Sequence, residues 1–243
     1  MHALAKLLND ARADGRTVAL PEGLAPADIP AAMRVQAEAF TARGETVAGW
    51  KVAVNPEFGP VAAPIAARLT VPSGATIPLP GPGFIGIELE VALRLKADVP
   101  TGADRAALLA ATDAIVVGIE ICATRYAEPK AAPFPAFVAD EMANLGYVLG
   151  AAVPIAKAPP LEALTCRLAF DGKTVFEGPA RHAAGDPLGW AITWAAGPRD
   201  ALGGLKAGQF VTTGNLCGLL PVEAPCLVEG LVEGVGGVTL RFA

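Results

Sequence analysis

The chain is almost without serine: Ser73 is the only one, and it sits in a Pro-Ser-Gly turn. That argues against a hydrolase built on a serine nucleophile. Histidine is nearly as scarce, with only His2 and His182, too few for a His-rich zinc site. Any metal would have to be held by oxygen. The four cysteines, Cys122, Cys166, Cys217 and Cys226, show neither CxxC spacing nor the density of a disulfide framework. They read as reduced, mostly buried thiols of a cytoplasmic protein. There is no Arg/Lys-rich run and the net charge is −5, which leaves no electrostatic footprint for nucleic acid. The longest apolar runs, such as Leu145–Ala156, are too short to span a bilayer and contain Gly and Pro. Met1–Arg16 lacks the unbroken apolar stretch of a signal peptide.

What is present is core-forming material. Hydrophobic residues make up 53% of the chain and charged ones 18%, a balance that belongs to an ordered globular protein. At 243 residues there is room for one large domain or two small ones.

The stretch that organises the rest is Phe84–Lys96. With a period of two, Ile85, Ile87, Leu89, Val91, Leu93 and Leu95 fall on one face. Gly86, Glu88, Glu90, Ala92, Arg94 and Lys96 fall on the other, the pattern of a half-buried strand. Glu88 and Glu90 then point the same way, with Cα atoms roughly 6.5–7 Å apart. Such a pair repels unless a cation sits between, a proton is taken up or water screens it. A hard divalent cation accepts one or two carboxylates together with substrate oxygens and waters. On the strand alone a solvated face is the commoner reading, since Arg94 and Lys96 continue it.

In chain order, residues 3–13 read as an amphipathic helix, and Asp28 caps a second reaching about Arg43. Val47–Val54 reads as a strand carrying Lys51, either snorkelling at an edge or held near an anion. Residues 55–83, punctuated by proline and glycine, read as loop. Gly81–Gly86 matches GxGxxG but precedes a strand, so a dinucleotide fold is rejected. Thr101 or Asp104 starts a helix, and Ala114–Cys122 follows as a buried strand. That strand delivers Glu120 into apolar surroundings, where it needs a metal, Arg125 or a proton as partner. Residues 127–137 form a Pro-rich rim or lid, and Gly146–Val153 is a further strand. Leu164–Glu177 is a hairpin turned by Asp171-Gly172. Asp186-Pro187 caps a helix stopped by Gly197-Pro198. Phe210–Thr213 and two closing strands over Leu227–Phe242 complete an α+β, sheet-dominated chain without regular βαβ alternation.

Several short motifs occur in order: Gly49-Trp50-Lys51-Val52, VPSGATIPL at 71–79, Ile87-Glu88-Leu89-Glu90 and Gly118-Ile119-Glu120-Ile121. Val138-Ala139-Asp140, Leu205-Lys206-Ala207-Gly208, Thr212-Thr213-Gly214 and a VTLRF ending follow. Together they resemble the fumarylacetoacetate hydrolase superfamily, in its 2-keto-4-pentenoate hydratase/4-oxalocrotonate decarboxylase branch. The resemblance implies a mixed β-roll catalytic domain over 47–243 behind a small N-terminal helical segment, 1–46. It implies Mg²⁺ or Mn²⁺ on Glu88, Glu90 and Glu120, and Lys51 as the catalytic lysine beside the metal, with a depressed pKa. It implies Arg125, Asp140, Thr213 and Gly214 around the substrate, a small 2-oxo acid. A metal-dependent hydratase of short 2-oxo/2-hydroxy-dienoic acids, serving aromatic catabolism, is the activity this implies. A homo-oligomer is expected, with a paralogous enzyme of the family as a further partner.

Two departures from the branch stand out. Where its members read Glu-x-x-Asp-Ser-Arg, this chain has Glu120-Ile121-Cys122-Ala123-Thr124-Arg125. The Val61–Ala67 run also lacks the aspartate the hydratases carry there. A 4-oxalocrotonate-type decarboxylase, or a catalytically reduced partner subunit that binds a small oxo acid, is the alternative. The resemblance also disfavours hydrolytic carbon–carbon cleavage: that branch of the superfamily uses a His–Glu dyad on a short lid, and no histidine lies between His2 and His182.

Overall fold

The strand Gly86–Leu95 lies at the centre of the molecule, and both of its faces are covered. In the computed structural model, which describes residues 1–81, 85–197 and 201–243, the elements run α1 (Ala3–Ala13), α2 (Ile29–Ala42), β1 (Val47–Asn55), β2 (Gly59–Ala66), β3 (Thr70–Pro72), β4 (Ala75–Ile77) and β5 (Gly86–Leu95). Then come α3 (Arg105–Ala111), β6 (Thr112–Cys122), α4 (Phe134–Ala139), β7 (Asn144–Pro154), β8 (Thr165–Phe170) and β9 (Lys173–Pro179). The chain closes with α5 (Gly189–Ala196), β10 (Phe210–Asn215), β11 (Leu220–Pro221), β12 (Leu227–Val232) and β13 (Gly236–Phe242). Phe84, the expected start of the central strand, and Pro82-Gly83 of the GxGxxG match lie outside the described residues, as does Pro198 of the expected helix stop.

Among the described residues, one mixed sheet runs β2-β1-β10-β5-β6-β7-β3, with β11 also on β5. A second runs β4-β13-β12-β8-β9. The apolar face of β5, from Ile87 to Leu95, joins Val228, Val238 and Leu240 of the second sheet in the main core. The layers approach closely enough that a Cβ on Gly150 would lie 2.6 Å from Val238. The Asp171-Gly172 turn takes positive φ at both residues, 48° and 76°, as a two-residue hairpin turn of that hand requires. The result is a mixed β-roll.

Helices α1 and α2 bury Leu4, Leu8 and Val35 in a smaller cluster with Val61 and Ala63 of β2 and with Val138 and Met142. Asp28 Oδ1 accepts from the amide of Ala31 and so caps α2. None of the described helices is long and apolar enough to cross a membrane. The segment expected to be loop over 55–83 contains β2, which pairs with β1 from Val47↔Ala66 to Asn55↔Gly59. Pro60 and Pro64 are tolerated because β2 lies at the edge of the sheet.

Candidate active site

Strand register brings the acids together. Glu88 of β5 stands directly opposite Glu120 of β6, and Glu90 opposite Gly118. The period-two alternation turns Glu88, Glu90 and Glu120 to the face away from the main core. That face is not solvated: Glu90 and Glu120 are 0% exposed, because Tyr147, Ile65 and Phe210 cover it. The solvated-face reading is thereby overturned. A Cβ on Gly118 would collide with the ring and hydroxyl of Tyr147, so glycine is what lets this ring lie over the strand.

Lys51 arrives from β1 on the same side. Its Nζ donates to Glu120 Oε1 at 2.9 Å and to Glu88 Oε2 at 3.3 Å, with Cys122 Sγ at 3.9 Å. Two amides complete the setting. Asn144 Nδ2 donates to Glu120 Oε1 at 2.9 Å, and Asn215 Nδ2 to Glu88 Oε1 at 3.1 Å. Glu90 has no such support: both its carboxylate oxygens, Glu120 Oε2 and the hydroxyls of Tyr147 and Thr212 are buried without a hydrogen-bond partner. The two hydroxyls lie close enough to Glu90 to couple to its charge but do not meet it in bonding geometry.

The electrostatics follow from burial and proximity. Burial, reinforced by Glu120 and Glu88, raises Glu90 well above the ordinary carboxylate range. Burial also raises Glu120, against the pull of Lys51. The depressed pKa expected for Lys51 is not found. Burial alone would lower it, but Cys122, Glu120, Glu88 and Glu90 together outweigh burial and raise it well above 10.5. With the protein's own charges alone, Lys51 is held as an ammonium. Burial pushes the Cys122 thiol well above its usual value, which keeps it neutral and a poor ligand for a hard cation.

The donor set suits a hard divalent cation. With all three acids ionised, one ammonium leaves two negative charges that a dication would balance. Without a cation the raised pKa of Glu90 lets a proton relieve part of that charge, and three carboxylate oxygens have no other partner. Among the described residues, Glu88, Glu120 and Cys122 form a group whose potential ligand atoms all lie within 4.8 Å of one another. Glu90 stands outside that group, on the same strand face two residues from Glu88.

Of the other expected site residues, Arg125, Asp140 and Thr213 are engaged with protein partners. Arg125 is turned on Asp140: its Nε donates to Asp140 Oδ1, Nη2 to the Asp140 carbonyl, and Nη1 to the carbonyls of Ala123 and Asn144 at 2.8 and 3.0 Å. Asp140 Oδ2 further accepts from Thr124 Oγ1 at 2.8 Å and the Arg125 amide at 2.9 Å. Arg125 and Asp140 are thus paired with each other, and each guanidinium nitrogen donates to at least one protein oxygen. The Thr213 hydroxyl donates to the Val91 carbonyl at 2.9 Å, and the Thr213 carbonyl bonds His182 Nε2. Gly214 has φ +106°, and a Cβ there would come within 2.7 Å of Trp190. This turn leads directly to Asn215.

Sequence reasoning missed Cys122, Asn144 and Asn215. Cys122 could have been found by applying the period of two to β6, since it lies two residues beyond Glu120. Asn215 immediately follows the Thr213-Gly214 motif. For Asn144 no sequence signal exists.

No family model matches the chain. It is 31% identical to 2-keto-4-pentenoate hydratase 1 of Dechloromonas aromatica (strain RCB), over 99% of this chain and 96% of that protein. It is 29% identical to a 2-keto-4-pentenoate hydratase of Burkholderia vietnamiensis, with 99% and 96% covered. Its fold is that of 4-oxalocrotonate decarboxylase from Pseudomonas putida G7, solved with magnesium and adipate, with a TM-score of 0.83, 22% identity and 99% and 96% covered.

Proposed function

Since the chain belongs to the 2-keto-4-pentenoate hydratase branch of the fumarylacetoacetate hydrolase superfamily, we propose that it is a divalent-cation-dependent hydro-lyase acting on short 2-oxo/2-hydroxy-dienoic acids in aromatic catabolism. The observation that carries this is the buried group of Glu88, Glu90, Glu120 and Lys51, in which one ammonium faces three carboxyl groups and three of their oxygens have no protein partner. We assign Glu88, Glu90 and Glu120 as the residues that would hold it and Mg²⁺ or Mn²⁺ as its identity; the decarboxylase with the same fold was solved with magnesium. Bound there, the cation would supply Lewis acidity toward the carboxylate and 2-oxygen of the substrate.

The protein's own groups do the rest. Lys51 carries its proton on an Nζ within bonding reach of two carboxylates. With the charges that hold it as an ammonium offset by a dication on those carboxylates, it can give its proton to the substrate and recover it. Asn144 and Asn215 hold Glu120 and Glu88 in orientation. Tyr147 and Phe210 exclude water from behind the carboxylates, which strengthens every charge interaction in front of them. Water adds at the distal double bond, and the product is a 4-hydroxy-2-oxo acid.

A second reading, decarboxylation of a 4-oxalocrotonate-like acid, is favoured by Ala123 and by the wholly apolar β2 segment beside Lys51, where Val61, Ala62 and Ala63 are fully buried. The test is calorimetric titration with Mg²⁺ and Mn²⁺, with and without oxalate, followed by product analysis. Cation binding abolished by Glu88→Ala, with water incorporated into the product, supports the hydratase. Carbon dioxide release without hydration selects the second reading, and absence of cation binding sinks both.

We further propose a cytoplasmic homo-oligomer, with residues 1–46 as the helical segment and 47–243 as the catalytic domain. The mean hydropathy of +0.45 and the exposed Phe58, Val175, Leu219 and Leu231 support burial between copies. Light scattering on the purified protein tests it, and a monomer would refute it.

A further inference from the structure

Resting on the cation-site reading above, we propose that Asn144 is a positioning residue for Glu120, set in place by an arginine clamp that reaches from the N-terminal helices. The residues immediately before Asn144 carry the argument. Glu141, Met142 and Ala143 all adopt the left-handed conformation, with φ of 54°, 51° and 61°. Three consecutive residues with side chains hold that conformation only where their surroundings over-determine it.

Those surroundings are specific. Arg12 of α1 donates from Nη2 to Glu141 Oε2 at 2.9 Å and to the Asn144 carbonyl at 3.2 Å. Arg43, which caps α2, donates to Glu141 Oε1 at 2.5 Å. Arg125 adds a second bond to the Asn144 carbonyl at 3.0 Å. The Ala123 amide donates to the Ala143 carbonyl at 2.8 Å, tying the turn to the end of β6. All of this is buried: the side chains of Arg12 and Glu141 are 7% and 5% exposed.

A left-handed run of three turns the chain sharply between the end of α4 and the start of β7. With its carbonyl gripped by two guanidinium groups, Asn144 presents Nδ2 to Glu120 Oε1, the same oxygen that Lys51 contacts. That choice leaves Oε2 of Glu120 free of protein partners and so fixes which oxygen is offered to an ion. A hydrogen-bond partner behind a ligand carboxylate orients the ligand, and losing one weakens metal affinity by about 10–100-fold. The small N-terminal segment thus has a role at the site without touching the acids.

The experiment is Mn²⁺ titration by calorimetry on full-length wild type, Asn144→Ala, Arg12→Met and the double variant, with kcat and KM measured alongside. Asn144→Ala is expected to bind Mn²⁺ about 10–100-fold more weakly while keeping the wild-type circular dichroism spectrum. Arg12→Met is expected to weaken binding less, and the double variant to bind no more weakly than Asn144→Ala alone, because Arg12 acts through Asn144. Asn144→Gln, which retains an amide donor, is expected to recover part of the loss. Wild-type Mn²⁺ affinity in Asn144→Ala overturns the proposal, and additive losses overturn the arginine arm. Should Arg12→Met fail to fold, Arg12→Lys makes the same comparison. If wild type itself binds no Mn²⁺, the cation reading fails first, a result distinct from either.

Discussion

Glu88 and Glu120 face each other directly across the β5–β6 ladder, with the Lys51 ammonium 3.3 Å from one carboxylate and 2.9 Å from the other. Like charges opposed across a ladder are destabilising, so Lys51 has a structural as well as a chemical role. Lys51→Met is expected to lower kcat by about 100-fold or more. It is also expected to cost about 3–5 kcal/mol of stability in cation-free buffer, since two buried carboxylates lose their counter-charge. Excess Mn²⁺ should restore much of that stability, by about 2.7 kcal/mol at a hundred times Kd. Thermal melts with EDTA and with Mn²⁺ check it, and equal melting of variant and wild type in EDTA would contradict it.

Glu90 poses the opposite problem, a carboxylate with no partner at either oxygen. Burial and the two neighbouring glutamates raise its pKa in the folded protein, while the unfolded chain titrates near 4.5. The folded state therefore binds the proton more tightly. Stability from this group is complete below pH 4.5 and is lost as pH rises toward the folded value. In EDTA, Glu90→Gln is expected to flatten that decline and to gain about 1–3 kcal/mol at neutral pH. The same variant should bind Mn²⁺ more weakly. Denaturation across pH 4 to 8 reads the first effect and calorimetry the second.

Much of this centre could be read in the chain, and the parts that could not share a cause. The alternation in Ile87–Leu95 placed Glu88 and Glu90 on one face because side-chain direction in a strand is local. That this face would be covered by Tyr147 and Phe210 is a property of strand order, with β10 and β7 coming from distant parts of the chain. The β2 strand was hidden by its prolines, which an edge position permits. Arg125 and Asp140 lie close in the sequence, yet their mutual pairing depends on the left-handed turn at 141–143, which nothing in Glu-Met-Ala announces. The raised pKa of Lys51 reversed expectation because several acids converge on one amine, a sum that no single motif contains.

The Arg12–Glu141–Arg43 group predicts an acid limb of unfolding. Burial alone would raise Glu141, but Arg12 and Arg43 outweigh it, and its pKa falls below the ordinary 4.5. Burial, with Arg125 and Arg43 adding to it, pushes Arg12 down to about 10, the mark of crowded positive charge. A depressed carboxylate contributes stability that is fully present above pH 4.5 and is lost as pH falls through the folded value. Glu141→Gln should therefore destabilise at pH 7 by about 3–5 kcal/mol, leaving two buried guanidiniums uncompensated, and the difference from wild type should shrink below pH 4.5. Urea midpoints at pH 7 and pH 3.5 test this, and a difference that grows on acidification would refute it.

The cover over Glu90 can be tested through Gly118, its partner across the ladder. Gly118→Ala places a methyl group where the Tyr147 ring and hydroxyl now lie. That ring is fully buried and packs on Phe210 with centroids 4.9 Å apart, so it has little room to withdraw. Overpacking of this kind costs about 1–3 kcal/mol, which a fall in the denaturant midpoint at unchanged slope would register. Tyr147→Phe removes only a hydroxyl that has no hydrogen-bond partner, so stability should hold or rise slightly. If Tyr147→Phe instead lowers kcat at unchanged stability, the hydroxyl takes part in the chemistry; if both variants leave stability and rate untouched, the ring is not what keeps water from the carboxylates.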